Sequence, residues 1–420
     1  MYKRLLVVAV MCLTVMGFVE AQESIPGRLA YIGADSNVYT YDFATQETFS
    51  LTMDAARTRR YQWPTWSNDG RLAYFCCDTQ GADTFAMEGY ISATGQDAGR
   101  IVYEQNAAPV IYAAWAPAPC DDAGDCRHLA LLVNDFSASE LRIDLVRDMG
   151  NNETIETIAR GNPFYYTWSP DATQMAFHRY GTELAVYDVV AKNISHTFET
   201  RSPVTFQVAG WSPIDNRILS LIPGTESERS TLVVSTEEYD QTPLRENLSG
   251  LLSFLWSPDG RYVAFRQARE GDYGALFVVD AVTGEVVARS DMQDVIAFFW
   301  SPDSTQLAYV TLDINSGQQA SLTSDMLVAY QGQAELDWSV LNVETGVNRR
   351  GSTFIPTAEM IYLILYFDQF APSHRVWSPD SRFIVYTEGG SVEPLISVYD
   401  VQTSERLTIA DGVFAVWSWR

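Results

Sequence analysis

The chain has 420 residues, 47% apolar and 13% aromatic, enough for a large core and, by length alone, for two or three domains or one repeat array. Lys and Arg number 28 against 53 Asp and Glu, a net charge of −25, so the surface repels phosphate backbones and sequence-independent nucleic-acid binding is excluded. The only lysines are Lys3 and Lys192, which leaves almost no side chain for Schiff-base chemistry.

Residues 1–21 read as a secretory signal peptide. Lys3 and Arg4 give a positive start, residues 5–19 are almost wholly apolar, and Val19-Glu20-Ala21 offers a cleavage site. A membrane anchor is the alternative, but the run is shorter than the roughly 20 residues of a span. The expectation is an exported chain, residues 22–420, periplasmic, cell-surface or extracellular, with no membrane span in its mature form. Export makes disulfides possible. Cys120 and Cys126 bracket a short Asp- and Gly-rich loop and are expected to pair, whereas the adjacent Cys76 and Cys77 read as buried thiols. The four histidines are scattered and give no metal-ligand spacing.

The next signal is an internal repeat. The unit Trp-Ser-Pro-Asp starts at Trp168, Trp256, Trp300 and Trp377, with variants at Trp66 and Trp211 and degenerate copies at Trp115 and Trp417. Successive Trp residues lie 49, 53, 43, 45, 44, 77 and 40 apart, mostly near one period of the size of a four-stranded blade. Short β-rich runs follow each turn, such as Arg261-Tyr-Val-Ala-Phe265 and then Ala275-Leu-Phe-Val-Val-Asp280. Pro presets φ, Asp bonds its own backbone and Gly takes positive φ, so the unit is a turn between strands. No stretch reads with a sustained helical period, and the class is all-β.

The unit resembles the WD-repeat-like propeller repeats of the TolB type, found in exported bacterial proteins and in propeller domains of prolyl-oligopeptidase-like peptidases. The resemblance covers nearly the whole chain after residue 21 and implies a single β-propeller of four-stranded antiparallel blades. Counting Trp-led strands gives eight blades, with seven as the alternative if the Trp115 unit is irregular. The C-terminal run Val413-Phe-Ala-Val-Trp417 is expected to complete the N-terminal blade and so close the ring.

A catalytic constellation is needed once, so repetition argues that Trp66, Trp168, Trp211, Trp256, Trp300 and Trp377 pack between blades. Function is expected on loops. With strands a to d counted outward, the d–a and b–c loops leave one face. Two insertions emerge there: residues 311–335, and residues 357–373 with the run Met360-Ile-Tyr-Leu-Ile-Leu-Tyr-Phe367. This makes Tyr362, Tyr366 and Phe367 candidate partner contacts, against the alternative that the run packs over the ring or extends a strand. Arg57, Arg59, Arg60, Arg179, Arg266 and Arg269 are placed on the same face as candidates for holding an anion, against the alternative of rim charges paired with Asp and Glu.

Enzyme signals are weak. The chain has no Gly-x-Ser-x-Gly elbow, phosphate loop, dinucleotide fingerprint or zinc motif, and with the ring expected to close at residue 417 no hydrolase domain is expected to follow it. The expectation is a monomeric, non-enzymatic exported propeller that binds a protein or other macromolecule through its loop-rich face, with no cofactor and no metal. The alternative is a hydrolase or lyase acting on carbohydrate or peptide, with carboxylates or a His converging at the central channel.

Overall fold

In the computed structural model the described residues are 25–79, 85–150, 152–161, 165–180, 183–199, 209–226, 229–236, 238–268, 273–312, 335–389 and 392–420. Residues 1–21, nearly all of the insertion 311–335, Arg269 and the Cys77 side chain lie outside them.

The repeated turn is held by its serine. The Ser257 hydroxyl donates to Asp259 at 2.6 Å and accepts the Tyr262 amide at 2.9 Å. Ser169 with Asp171, Ser301 with Asp303, and Ser378 with Asp380 repeat the pattern, accepting the amides of Gln174, Gln306 and Phe383. The residue after each Asp takes positive φ, as at Gly260 (67°), Ser304 (63°) and Ser381 (62°), which is why the repeat prefers Gly or Ser there. Ser, Pro and Asp therefore specify one hairpin entry, and the strands follow from it.

Among the described residues the strands form seven sheets. Six are four-stranded antiparallel meanders, exemplified by Leu251–Trp256, Tyr262–Ala268, Leu276–Asp280 and Val286–Arg289. Inner strands are buried and the outermost are largely exposed: Arg127–Asp135 is almost wholly buried, whereas Glu153–Gly161 alternates with solvent. This gradient accounts for the polar character of outermost strands such as Glu153–Gly161.

Seven blades, not the expected eight, make up the ring. The Trp115 unit is regular, a full sheet of Val110–Trp115, Arg127–Asp135, Glu140–Asp148 and Glu153–Gly161. The departure lies at the closure. Arg406–Trp417 is one continuous strand whose first half pairs with Leu395–Asp400 and whose second half pairs with Arg28–Gly33. The Trp377 and Trp417 units consequently share one six-stranded sheet instead of forming two. Within it Leu29 faces Trp417 and Ile32 faces Phe414, so strands from the two ends of the chain are joined by backbone hydrogen bonds.

The repeated tryptophans tie sheet to sheet. The indole N–H of Trp115 donates to the Thr65 carbonyl at 2.9 Å, that of Trp256 to Gly210 at 2.9 Å, and that of Trp377 to Phe299 at 3.0 Å. Trp168 and Trp300 make the same bond to Ala114 and Leu255. The acceptor is in every case the residue just before the preceding unit's Trp. Trp66 and Trp211 are buried in the same position, and Trp419 donates to Trp66. Cys120 and Cys126 form a disulfide across a Cα–Cα distance of 5.2 Å, and Cys76 is buried.

Replacing the fully buried Ser257 with Ala removes one donor and one acceptor from the turn. The expected loss is about 1–3 kcal/mol of unfolding free energy, read as a lower denaturant midpoint. A midpoint equal to that of the unsubstituted chain would contradict the role given to the serine.

Candidate functional site

The inner strands surround an axial channel, and the insertion 357–373 enters it. The class stays all-β, but the expectation that no stretch keeps a helical period needs correction here: Ala358–Leu365 is an α-helix, followed by a short helix Phe367–Phe370. Thr357 caps the first, its hydroxyl accepting the Met360 amide at 3.2 Å. Met360, Ile361, Leu363 and Ile364 are buried on it. The sequence signal was present: apolar residues at 360, 363, 364, 367 and 370 keep a helical spacing behind a Thr cap.

These helices plug the ring. Phe367 is 1% exposed and packs on Phe298 at 4.7 Å between centroids, and Phe370 meets Tyr112 at 5.1 Å and Trp63 at 5.3 Å. The Gln369 amide donates to the Tyr166 carbonyl at 3.2 Å. Tyr112 is hydrogen-bonded to Ser373 at 2.9 Å, Ser373 to His374 Nδ1 at 2.8 Å, and His374 Nε2 to Thr65 at 3.0 Å. The plug is thus anchored on four sheets. Tyr362 and Tyr366 are half-buried on it, with the Tyr362 ring tilted against Trp63 at 5.0 Å between centroids.

Of the arginines singled out in the sequence, the described ones do not converge. Arg57 and Arg60 are exposed. Arg59 is paired with Asp54 at 2.9 Å and Glu88 at 2.7 Å, and it also donates to Tyr90 at 2.6 Å. Arg179 pairs with Glu183. Arg266 is 7% exposed, donates to the Val295 carbonyl at 3.1 Å and lies over the Phe367 ring at 5.5 Å. Burial lowers its pKa to about 10.

A cavity of about 340 Å³ remains at the other end of the channel. Its wall carries Trp66, Trp115, Trp168, Trp211, Trp256, Trp300, Trp377 and Trp419, and its rim carries the turn residues Asn68, Pro117, Pro170, Pro213, Pro258 and Pro302. Those turns follow strand a, so the cavity opens on the face opposite the d–a loop that supplies the plug. Its floor is the tip of the plug: Asp368, Gln369, Ala371, Pro372 and Ser373. Arg375 and Val376 complete the wall.

Three polar features of this cavity bear on chemistry. Burial pushes the Asp368 carboxyl up to about 6, partly offset by the nearby Arg266 guanidinium and by backbone N–H donors. Ser373 and His374 make a nucleophile–base contact, but the partner across the imidazole is the Thr65 hydroxyl, and burial lowers the His374 pKa to about 3. Such a histidine is a weak proton acceptor, so the contact serves to anchor the plug. Arg375 stacks on Trp419 at 3.6 Å, and burial lowers its pKa to about 10. Among the described residues, Asp368 is the only carboxylate lining the cavity, and no group of three or more His, Cys, Asp or Glu is placed to hold a metal ion.

Sequence reasoning passed over Asp368, Gln369 and Arg375. For Arg375 a signal existed. The residue two before the repeat Trp is Pro64, Ala113, Tyr166, Ala209, Phe254, Phe298 and Ala415 in the other units, and Arg375 is the one charged residue at that position.

A carboxyl with a higher pKa folded than unfolded favours the fold in its protonated form. That contribution is full below about pH 4 and is lost as pH rises through about 6. Asp368→Asn should therefore stabilise the protein at pH 7.5 by about 1–3 kcal/mol and leave it nearly unchanged at pH 4. Equal effects at the two pH values in thermal melts would contradict the assignment.

No protein-family model and no curated protein matches the chain. Solved structures do. The chain is similar to the dihydro-heme d1 dehydrogenase NirN in complex with DHE, at 14% identity over 93% of this chain and 75% of that one, with a TM-score of 0.54. It is similar to the β-propeller domain of the Trilobed protease from Pyrococcus furiosus, at 12% identity over 85% of this chain and 99% of that one, with a TM-score of 0.51. TolB from Acinetobacter baumannii is also similar, at 12% identity over 83% of each chain and a TM-score of 0.39. At these identities the likeness is one of fold, and the fold is a β-propeller.

Proposed function

We propose that this protein is an exported, TolB-like propeller that binds another macromolecule without catalysis, and that it does so at the channel mouth carrying the Ser-Pro-Asp turns. The observation that carries this reading is the one-ended cavity. The plug occupies the channel from the d–a side, and the opposite mouth keeps about 340 Å³ lined by Trp and Pro. A concave, mostly apolar site with a few fixed polar groups is the usual form of a binding pocket. Large rigid aromatics give contact area at little cost in side-chain entropy, because the indoles of Trp115, Trp168, Trp256, Trp300, Trp377 and Trp419 are already held by hydrogen bonds to neighbouring units.

The described lining does not favour the hydrolase or lyase alternative. Paired-carboxylate catalysis needs two carboxyl groups several ångströms apart, and the described lining supplies Asp368 alone. The apolar side chains of 360–367 are spent on the plug, so the site moves from the insertion-bearing face to the opposite one. No helix among the described residues is long and apolar enough to cross a membrane, and export rests on the character of residues 1–21.

The test uses rim substitutions that leave the inner strands intact. Asn68 already replaces the rim proline in the first unit, so Pro117→Arg and Pro213→Arg are compatible with the turn. A partner captured by the intact protein from envelope or culture-supernatant fractions of the source organism should be lost, by tenfold or more, with Pro213→Arg. Capture unaffected by both rim variants would place binding elsewhere and overturn the reading.

A further inference from the structure

We infer that the cavity recognises a singly charged carboxylate carried on an apolar or aromatic body, with Arg375 as the residue that holds it. The inference rests on the binding reading above and specifies its ligand chemistry.

The starting point is how this acidic chain treats its arginines. Those drawn inside are paired or capped: Arg127 with Asp69 at 2.9 Å, Arg142 with Asp144 at 2.9 Å, and Arg266 with the Val295 carbonyl. Arg375 is the exception on the cavity wall. Among the described residues no carboxylate lies within ion-pair distance of it, although the chain carries an excess of 25 acidic groups. Its one close partner is the Trp419 ring, 3.6 Å below the guanidinium. Stacking satisfies a face of the planar group and leaves its edge N–H donors unused.

A half-buried cation set in a largely apolar wall without a counter-ion gains by pairing with an anion. The guanidinium edge matches a carboxylate bidentately. The charge balance sets the ligand's charge. One guanidinium, with Asp368 on the floor and a net charge of −25 around the ring, suits a monoanion and opposes a phosphate dianion. The wall sets the rest of the molecule, because indoles and prolines accept an apolar or aromatic body and offer it few hydrogen bonds. Asp368 does not neutralise Arg375, since its electrostatic partner is Arg266 beneath the plug. Two sources share this chemistry: a free small carboxylic acid, and the C-terminal carboxylate of a protein chain ending in an apolar residue.

The experiment is calorimetric titration of the full chain with 4-phenylbutyrate, 4-phenylbutyramide and 4-phenylbutylamine, which differ only at the polar end. The same protein is titrated with acetyl-Ala-Ala-Phe as free acid and as amide. The acid of each series should bind at least tenfold more tightly than its amide, and the amine should bind least. A tighter free-acid peptide than phenylbutyrate assigns a chain terminus, and the reverse assigns a free small acid. Arg375→Gln should abolish the preference for the acid, Arg375→Lys should keep part of it, and Asp368→Asn should strengthen acid binding. Equal binding of acid, amide and amine by the unsubstituted protein overturns the inference without needing any variant to fold. So does an acid preference that survives in folded Arg375→Gln. Should no probe bind while Pro213-dependent capture persists, the carboxylate inference falls and the binding reading stands.

Discussion

Strands that radiate from a common axis cannot fill that axis themselves, and this constraint organises the molecule. The inner strands end in tryptophans, five of whose indoles bind the neighbouring unit, leaving a channel wide enough to need contents. The chain supplies them from within, by a capped helix and a short helical turn between the sixth and seventh sheets. Phe367 and Phe370 take the place of a central core, and the hydrogen-bonded line Tyr112–Ser373–His374–Thr65 fixes the tip. Everything at the candidate site follows: a floor on one side, an opening on the other, and a polar group set by where the plug stops.

The fold was legible because its information is local and repeated. Ser257 with Asp259, and their equivalents, fix a turn through bonds spanning a few residues, and such bonds leave a motif in the sequence. Blade count was not legible from the same motif. Trp417 announces a unit through a degenerate copy, but whether two units share a sheet depends on whether Arg406–Trp417 bends or breaks near Asp411 and Gly412, a matter of backbone continuity. The plug was misread for a related reason. An eight-residue apolar run has both a strand and a helix reading, and its neighbours in an all-β repeat pull toward the strand. The spacing of 360, 363, 364, 367 and 370, behind Thr357, separates the two.

Charge tells a similar story. The total of −25 set an acidic surface, and its arginine exceptions drew notice, yet the sequence could not say which arginines are paired. Arg59 and Arg179 are satisfied by Glu88 and Glu183 of their own sheets, as expected where acids are in excess. Arg375 differs because the inner-strand position it occupies faces the channel, where the repeat otherwise places apolar residues.

The central claim is that the channel is closed by 357–373 from one side and open over its tip on the other. Single cysteines at Ala371 and Met360, reacted with a small maleimide under native conditions, test it most directly. Ala371→Cys lines the cavity and should be modified readily, more slowly when Pro213→Arg crowds the mouth, whereas the buried Met360→Cys should stay protected until unfolding. Rapid modification of Met360→Cys with protection of Ala371→Cys would mean that the insertion lies open on the d–a face, and the account would be wrong.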